Sequence, residues 1–147
     1  MELYFDGGSR GNPGVAGCGA VLTVLGTSRE VWTGYAYMGS SETNNVAEYT
    51  GMIIGLRAAI RIGCKSLSVK GDSKLVIQQC LNNWRVNQPH LEPLRDAAQA
   101  LLRDIPHPKL EHVRREHNAR ADGLGNIAMD LRQSSQTFAC AGPGGGR

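Results

Sequence analysis

The stretch YFDGGSRGNPG, residues 4–14, joins two aromatic residues typical of a strand to an acid and then to a glycine-rich run. A strand that leads into Asp6 and then into such pliable backbone allows two interpretations. In the first, Asp6 opens an ordinary turn. In the second, Asp6 ends the first strand, and the glycines keep the neighbouring backbone thin so that a large ligand can approach it closely. The rest of the chain has to distinguish the two.

Hydrophobic periodicity divides the remaining sequence into strands and helices. Three strands come first, and the short glycine-containing links between them favour an antiparallel meander. Apolar residues then repeat at helical spacing, and strands alternate with helices after that. The expected strands lie at 2–8, 18–26, 30–39, 66–72 and 109–115, and the expected helices at 45–62, 73–84, 90–105 and 118–133. The order β-β-β-α-β-α-α-β-α predicts an α/β fold in which helices flank a mixed sheet.

Length and composition are typical of one globular domain. The chain has 147 residues, of which 41% are hydrophobic. We expect residues 1–132 to form that domain and residues 133–147, which lack periodicity, to form a flexible tail. The net charge of +3 permits a polyanionic partner without requiring one. The basic cluster HVRREHNAR at 112–120 is compatible with such a partner and equally with a solvated surface.

Cysteine usage and hydropathy indicate the cellular compartment. The four cysteines form no CxxC pair and have no zinc-finger spacing, which favours free thiols in a reducing environment. The sequence shows no secretory signal and no apolar run of about 18 residues. We therefore expect a cytoplasmic protein with no membrane partner.

Four of the thirteen acidic residues stand at the ends of predicted elements. Asp6 ends the first strand and Asp72 the fourth, while Glu48 and Asp122 fall in the first turns of two helices. Each has an ordinary structural explanation. Asp6 opens a turn, Glu48 completes a capping box with Asn45, Asp72 caps a helix, and Asp122 complements a helix dipole.

The four explanations weaken when the acids are considered together. If the first and fourth strands are neighbours, Asp6 and Asp72 lie side by side at one sheet edge, which the starts of helices can also face. Carboxylates gathered within a few ångströms repel one another and need cations. Hard oxygen ligands favour Mg²⁺ or Mn²⁺. Two such ions about 4 Å apart clamp the attacking and leaving oxygens of a phosphodiester.

Four sequence blocks resemble the signature blocks of the type I ribonuclease H family. They are YFDGGSRGNPGVAGCGAVL, TNNVAEYTGMIIGLRAA, VKGDSKLVIQQ and REHNARADGLGNIA, and their order and spacing match over about residues 1–131. The resemblance implies a five-stranded mixed sheet, with three antiparallel strands followed by two parallel ones. It also implies endonucleolytic cleavage of the RNA strand of an RNA–DNA hybrid, with two Mg²⁺ ions (or Mn²⁺ in their place), giving 5′-phosphate and 3′-hydroxyl ends. The metal-binding catalytic residues by motif match are Asp6, Glu48, Asp72 and Asp122.

The resemblance implies substrate contacts as well. The residues implied to face RNA are Gly7, Gly8, Ser9, Asn12, Asn44 and Asn45, and those implied to hold a DNA phosphate are Thr43 and Asn12. Trp84 is implied to lie along the DNA groove, although a residue that covers the core at a helix end fits equally well. His117 is the candidate for an auxiliary histidine that aids product release, and its alternative is a surface position beside Arg115.

Two departures from the family pattern bear on these expectations. Residues 82–93 are short and contain Arg85 as their only Lys or Arg, so the basic insertion of some relatives is absent. Fewer phosphate contacts predict weaker hybrid binding with a shallower salt dependence. Gly123 and Gly125 stand where similar sequences tend to have alanine, which indicates either a looser Asp122 or a tight packing contact.

Two other functions remain open on the same scaffold, because one fold hosts many activities. The chain could be another nuclease, which the intact RNA-contact loops disfavour. It could also be a non-catalytic hybrid-binding module, which the presence of all four acids disfavours. In each case we expect a monomer.

Overall fold

The computed structural model describes residues 1–139 of the chain. These residues form six strands and four α-helices, with short 3₁₀ turns at Pro89–Leu91 and Arg115–His117. The strands are β1 (Glu2–Arg10), β2 (Val15–Thr23), β3 (Glu30–Tyr37), β4 (Leu67–Gly71), β5 (Pro108–His112) and β6 (Ser135–Phe138). The helices are α1 (Asn44–Ile62), α2 (Lys74–Cys80), α3 (Glu92–Arg103) and α4 (Ala119–Leu131). Every element that periodicity predicts is present, with ends that differ by a few residues.

The strands form one mixed sheet in the order β5-β4-β1-β2-β3-β6. Strands β1, β2 and β3 are antiparallel neighbours, while β4 lies parallel to both β1 and β5. The predicted α/β class and the meander are therefore confirmed, and the first and fourth strands are neighbours, which is the condition for Asp6 and Asp72 to lie side by side. Because β1 lies between β2 and β4, the residues of the opening stretch run through the centre of the sheet.

The sixth strand was not predicted, and it falls in the segment that we expected to be a tail from residue 133. Strand β6 pairs antiparallel with β3, with Phe138 opposite Trp32. The indole Nε1 of Trp32 donates to Oε1 of Gln136 at 3.0 Å, and the guanidinium of Arg61 lies 4.6 Å from the centroid of the Phe138 ring. Four residues are too few to show a period, so only these tertiary contacts identify the strand. The rest of the expected tail, residues 140–147, lies outside the described residues.

Helices cover both faces of the sheet at close range. On one face, a Cβ atom added to Gly55 of α1 would lie 2.4 Å from Cδ1 of Leu3, a fully buried residue of β1. On the other face, a Cβ atom added to Gly19 of β2 would lie 2.5 Å from the carbonyl oxygen of Ala121 in α4. The absence of side chains at such glycines lets α1 and α4 pack closely on the sheet.

The two glycines of α4 differ in their surroundings. A Cβ atom added to Gly125 would meet the backbone of Cys18 at 3.5 Å, an ordinary packing distance, whereas one added to Gly123 has nothing within 4 Å. We predict that Gly123→Ala raises the free energy of unfolding by about 0.5–1 kcal/mol, because alanine loses less backbone entropy in a helix. Urea denaturation followed by circular dichroism measures the change.

The matched control for Gly123→Ala is Gly19→Ala. Its added methyl group would lie 2.5 Å from the carbonyl oxygen of Ala121, so α4 must move away from the sheet. Here we expect a loss of roughly 1–3 kcal/mol. Equal effects of the two substitutions would contradict the packing described above.

Two further expectations concern cysteines and membranes. The described cysteines, Cys18, Cys64 and Cys80, are buried free thiols. Cys140 lies outside the described residues. Within residues 1–139, no helix has both the length and the apolar character needed to cross a bilayer.

Candidate active site

We predicted that strand β1 ends at Asp6, and this prediction is wrong. Gly7, Gly8 and Ser9 continue the strand and pair with β2, and the chain turns only at residues 11–14. What ends here is the pairing with β4, whose last matched pair is Phe5 with Gly71. Asp6 therefore lies in a strand of the sheet at the point where its parallel neighbour stops, so it opens no turn.

Two of the other acids are not the helix caps that their positions suggest. Asp72 follows Gly71, the last residue of β4, but α2 is capped by Ser73, whose Oγ accepts from the backbone nitrogen of Val76 at 3.3 Å. Helix α1 is capped by Thr43, whose Oγ1 accepts from the backbone nitrogen of Val46 at 3.3 Å. The predicted capping box with Asn45 is therefore wrong, and Glu48 lies in the second turn of α1.

These placements bring three acids together. One carboxylate oxygen from each of Asp6, Glu48 and Asp72 lies within 4.8 Å of the other two. Asp6 is 8% exposed, and the Oε1 atom of Glu48 is buried with no hydrogen-bond partner among the described residues. A buried, unpartnered carboxylate oxygen is costly unless something positive binds it.

Close approach of α1 to β1 creates this cluster. A Cβ atom added to Gly7 would lie 2.2 Å from the carbonyl carbon of Ala47, and one added to Gly51 would lie 2.6 Å from the carbonyl oxygen of Asp6. Only glycine fits at either position. The space beside Gly7, which we had expected to face RNA, is filled by the helix that carries Glu48.

The electrostatics of the cluster oppose three full negative charges. Burial, contact with Asp122 and the charge of Asp72 raise the pKa of Asp6. Burial and the charges of Asp6 and Asp72 raise the pKa of Glu48. Within residues 1–139, the basic group that comes within 4.0 Å of these carboxylates is Nε of Arg115, whose side chain is 90% exposed. So exposed a guanidinium compensates little, and the cluster retains a net negative charge.

Asp122, the fourth predicted acid, borders the cluster. It lies in the first turn of α4, it is exposed, and it is outside the group of three whose oxygens are mutually close. Its side chain nonetheless contacts Asp6 closely enough to raise the pKa of that residue. The amide Nδ2 of Asn126, one turn further along α4, donates to Oδ2 of Asp122 at 3.4 Å. The predicted four-acid cluster is thus three acids in one group with the fourth adjoining Asp6.

The donor set fits divalent magnesium or manganese. All of the clustered ligand atoms are carboxylate oxygens, and neither histidine nor cysteine is among them. Hard oxygen donors of this kind favour Mg²⁺ or Mn²⁺ over zinc. A divalent cation would also give the unpartnered oxygen of Glu48 a partner and offset the repulsion within the group.

A network of hydrogen bonds builds the surface beside the acids. The backbone nitrogen of Ser9 donates to Oδ1 of Asn44 at 2.7 Å, and the backbone nitrogen of Asn44 donates to Oδ1 of Asn12 at 3.0 Å. The hydroxyl of Ser9 donates to the carbonyl oxygen of Glu42 at 2.7 Å. Sequence reasoning missed Glu42, because a backbone acceptor leaves no signal in the sequence. The structure thus brings together Ser9, Asn12 and Asn44, three of the residues expected to contact RNA.

Two more predicted contact residues adjoin this network. A Cβ atom added to Gly8 would come no closer than 3.9 Å to its nearest neighbour, the Oδ1 atom of Asn44, so the space beside Gly8 is open. Asn45 is half-buried in the first turn of α1.

Comparison with known proteins identifies the family. A family model described as reverse transcriptase-like matches residues 4–128. Ribonuclease H of Pseudomonas fluorescens is 34% identical over 145 residues, covering 88% of this chain and 90% of that protein. This chain belongs to the type I ribonuclease H family. The sheet is therefore the ribonuclease H fold, here with six strands instead of the expected five.

Further likenesses agree with membership of this ribonuclease H family. A bifunctional protein of Mycobacterium tuberculosis is 44% identical over 141 residues, which cover 92% of this chain but 37% of that protein. The chain thus spans little more than a third of the length of that mycobacterial relative. The solved structure of LC11-RNase H1 in complex with RNA/DNA hybrid superposes with a TM-score of 0.83 at 34% identity, covering 89% of this chain and 97% of that one.

Trp84 and His117 lie outside the ribonuclease H acid cluster. Trp84 is 43% exposed and borders a groove of about 470 Å³ that is also lined by Arg85 and Leu91. That exposure disagrees with a residue that only covers the core. His117 is exposed in the 3₁₀ turn that precedes α4, where its backbone nitrogen donates to the carbonyl oxygen of Arg114 at 3.0 Å. Roles in groove binding and product release stay predictions for both residues.

Proposed function

We propose that this chain is an endoribonuclease that hydrolyses the RNA strand of RNA–DNA hybrids and leaves 5′-phosphate and 3′-hydroxyl ends. The observation that carries the proposal is the group of three carboxylates within 4.8 Å, one of them with a buried, unpartnered oxygen. The hybrid bound in the LC11-RNase H1 structure supports the choice of substrate. Two Mg²⁺ ions, with Mn²⁺ as a substitute, would be held by Asp6, Glu48, Asp72 and Asp122.

Some residues of the site would bind the metal ions, and others would bind the RNA strand. When bound, the pair of ions supplies an activated water and neutralises the departing 3′-oxygen. Asp6, Glu48 and Asp72 would provide the negative oxygens, and the burial of Asp6 and of the Oε1 atom of Glu48 strengthens their pull on a cation because little water competes.

The network beside the acids would recognise RNA by its ribose hydroxyl groups. The Oδ1 atoms of Asn12 and Asn44 accept hydrogen bonds from backbone nitrogens, which fixes the orientation of both amides. Their Nδ2 groups have no acceptor among the described residues and are available to the substrate. A 2′-hydroxyl is what distinguishes RNA from DNA at such a site. Because these contacts would be to backbone, cleavage should show little preference for base sequence.

A monomer suffices for this function, since all four proposed metal ligands come from one chain. We infer a monomer that binds RNA–DNA hybrid. A cytoplasmic location stays a prediction.

The test is incubation with end-labelled RNA–DNA hybrid, double-stranded RNA and double-stranded DNA, each with Mg²⁺, Mn²⁺ or chelator. We expect cutting of the hybrid alone, only with metal, and products that ligase rejoins because they carry 5′-phosphate and 3′-hydroxyl ends. Equal cutting of all three substrates would identify another nuclease on this fold. Hybrid binding without cutting would identify a binding module, and cleavage that survives chelator would exclude the metal mechanism.

A further inference from the structure

Asn118 is a buried polar residue that the motifs did not single out. It is 1% exposed and immediately precedes α4, with non-helical backbone angles of φ −121° and ψ 17°. Its amide Nδ2 donates to the carbonyl oxygen of Phe5 at 2.9 Å, a contact between residues 113 positions apart. The side-chain oxygen of an asparagine at this position ordinarily accepts a hydrogen bond from one of the first backbone nitrogens of the helix. Here the side chain makes no such bond to α4.

The contact joins the start of α4 to the place where the pairing of β1 with β4 ends, beside Asp6 and Asp72. Phe5 precedes Asp6 and is the last residue of β1 that pairs with β4. Its partner in β4 is Gly71, the residue immediately before Asp72. On the other side, the backbone nitrogen of Asp122 donates to the carbonyl oxygen of Asn118 at 3.1 Å. Two consecutive hydrogen bonds through Asn118 thus link the backbone of the fourth acid to the residue before the first.

The Asn118 side chain is oriented to bond with β1 and not to cap α4. The Oδ1 atom of Asn118 is buried and has no hydrogen-bond partner among residues 1–139. A side chain selected only to begin α4 would turn that oxygen toward the helix and leave nothing unpartnered. The orientation found here instead presents the amide donor to β1.

The carboxylate of Asp122 has few contacts of its own, so its position follows that of the start of α4. Its side chain is exposed, and its hydrogen bond from Asn126 is long, at 3.4 Å. The distance between the carboxylates of Asp122 and Asp6 therefore depends on where α4 begins relative to β1, which the packing of Ala121 on Gly19 and the hydrogen bond of Asn118 both determine.

We propose that Asn118 is a positioning residue, whose hydrogen bond to the carbonyl oxygen of Phe5 holds Asp122 beside Asp6, where both would serve as ligands in the divalent-metal site. The inference rests on the proposed function and names what aligns the fourth acid of that site. Loss of an outer group that orients a metal ligand typically lowers metal affinity or activity by about 10- to 100-fold.

The experiment compares Asn118→Ser with Arg120→Gln. Serine can cap α4 but is too short to reach the carbonyl oxygen of Phe5. Arg120→Gln removes a different link from α4, the paired hydrogen bonds to Glu30 at 2.8 and 3.1 Å, so it controls for general loosening of the helix. Asn118→Asp, which keeps the shape but loses the donor, serves as a second variant should the serine protein fail to fold.

Three measurements are made on each protein: Mn²⁺ binding by calorimetry, hybrid cleavage as a function of Mg²⁺ concentration, and the melting temperature in chelator. For the Asn118 variants we expect weaker Mn²⁺ binding and about a tenfold or greater rise in the Mg²⁺ concentration for half-maximal cleavage. The KM for hybrid should stay within about twofold, since the RNA-contact network is untouched. Arg120→Gln should match the wild type in metal dependence.

The outcomes separate this inference from the proposed function. A wild-type protein that cuts no hybrid refutes the proposed function, while its Mn²⁺ titration still tests the positioning role. If the wild type cuts and Asn118→Ser keeps normal metal binding and metal dependence, the positioning role is refuted. It is also refuted if the losses follow the melting temperature alone, or if Arg120→Gln shows the same losses.

Discussion

Asp72→Asn is expected to reduce hybrid cleavage on the order of a thousandfold or more while leaving the fold and hybrid binding nearly intact. The substitution removes one negative oxygen from the group that Asp72 forms with Asp6 and Glu48. Metal ions stabilise the charge of such a transition state by several kcal/mol, and about 1.4 kcal/mol corresponds to a factor of ten in rate. Asparagine has nearly the same shape, and Ser73 rather than Asp72 caps α2, so the fold has no reason to change.

Single-turnover cleavage at saturating enzyme measures this loss, and fluorescence anisotropy measures hybrid binding. The matched control is Ser73→Ala at the adjacent position. That variant loses the hydrogen bond to the backbone nitrogen of Val76, at a cost of about 1 kcal/mol of stability, and should cleave normally. Near-normal turnover by Asp72→Asn would show that this carboxylate holds no catalytic ion.

Glu48→Gln is expected to stabilise the metal-free protein at alkaline pH. Burial and the charges of Asp6 and Asp72 raise the pKa of Glu48 above its ordinary value of 4.5. An acid whose pKa is higher in the folded than in the unfolded state stabilises the fold most below the unfolded value, and that contribution is lost as the pH rises toward the folded value. The metal-free wild type should therefore become less stable from about pH 5 to about pH 10, the folded-state pKa of Glu48. The glutamine variant should lose less stability over the same range.

Calorimetric melting in chelator at several pH values between these limits measures the effect. At pH 8 we expect the melting temperature of Glu48→Gln to exceed that of the wild type by about 5 °C, which corresponds to roughly 1–2 kcal/mol for a chain of this size. Saturating Mg²⁺ should raise the melting temperature of the wild type much more than that of the variant. Glu116→Gln, at a side chain that is 64% exposed, is the control and should change neither curve. If the variant were less stable than the wild type at every pH, the charges of Asp6 and Asp72 would not destabilise ionised Glu48, and the expected rise in its pKa would be wrong.

Local patterns predicted the elements but not their ends. The apolar spacing of residues 45–62 identified α1, and the break after it identified β4. The glycines after Asp6 look like a turn in the sequence, yet they pair with β2 along a strand that continues to Arg10. The prediction of the cap of α1 was wrong for a similar reason. Thr43 and Asn45 are both acceptable caps by composition, and only the position of α1 on the sheet selects Thr43.

The candidate site was predictable in its residues and not in its arrangement. Four acids at predicted element ends, in blocks of the family's order, were enough to propose the ligands, and the structure brings three of them together. That Asp6, Glu48 and Asp72 form one group while Asp122 adjoins it depends on where α1 and α4 lie, and no local pattern contains that information. Asn118 escaped notice because its partner, Phe5, is 113 residues away.

By itself, the sequence determined the kinds of elements, their order and the identity of the acids, because periodicity and motif spacing depend on neighbours a few residues apart. Tertiary structure alone decided which carboxylate oxygens lie close together. Gly7 and Gly51 allow α1 to approach β1 more closely than any side chain at these positions would permit. Tertiary structure also decided that Ser135–Phe138 is a strand, through the contact of Phe138 with Trp32. Burial of the Glu48 oxygen follows from the same packing, and a buried carboxylate is stable only when it holds a proton or a cation.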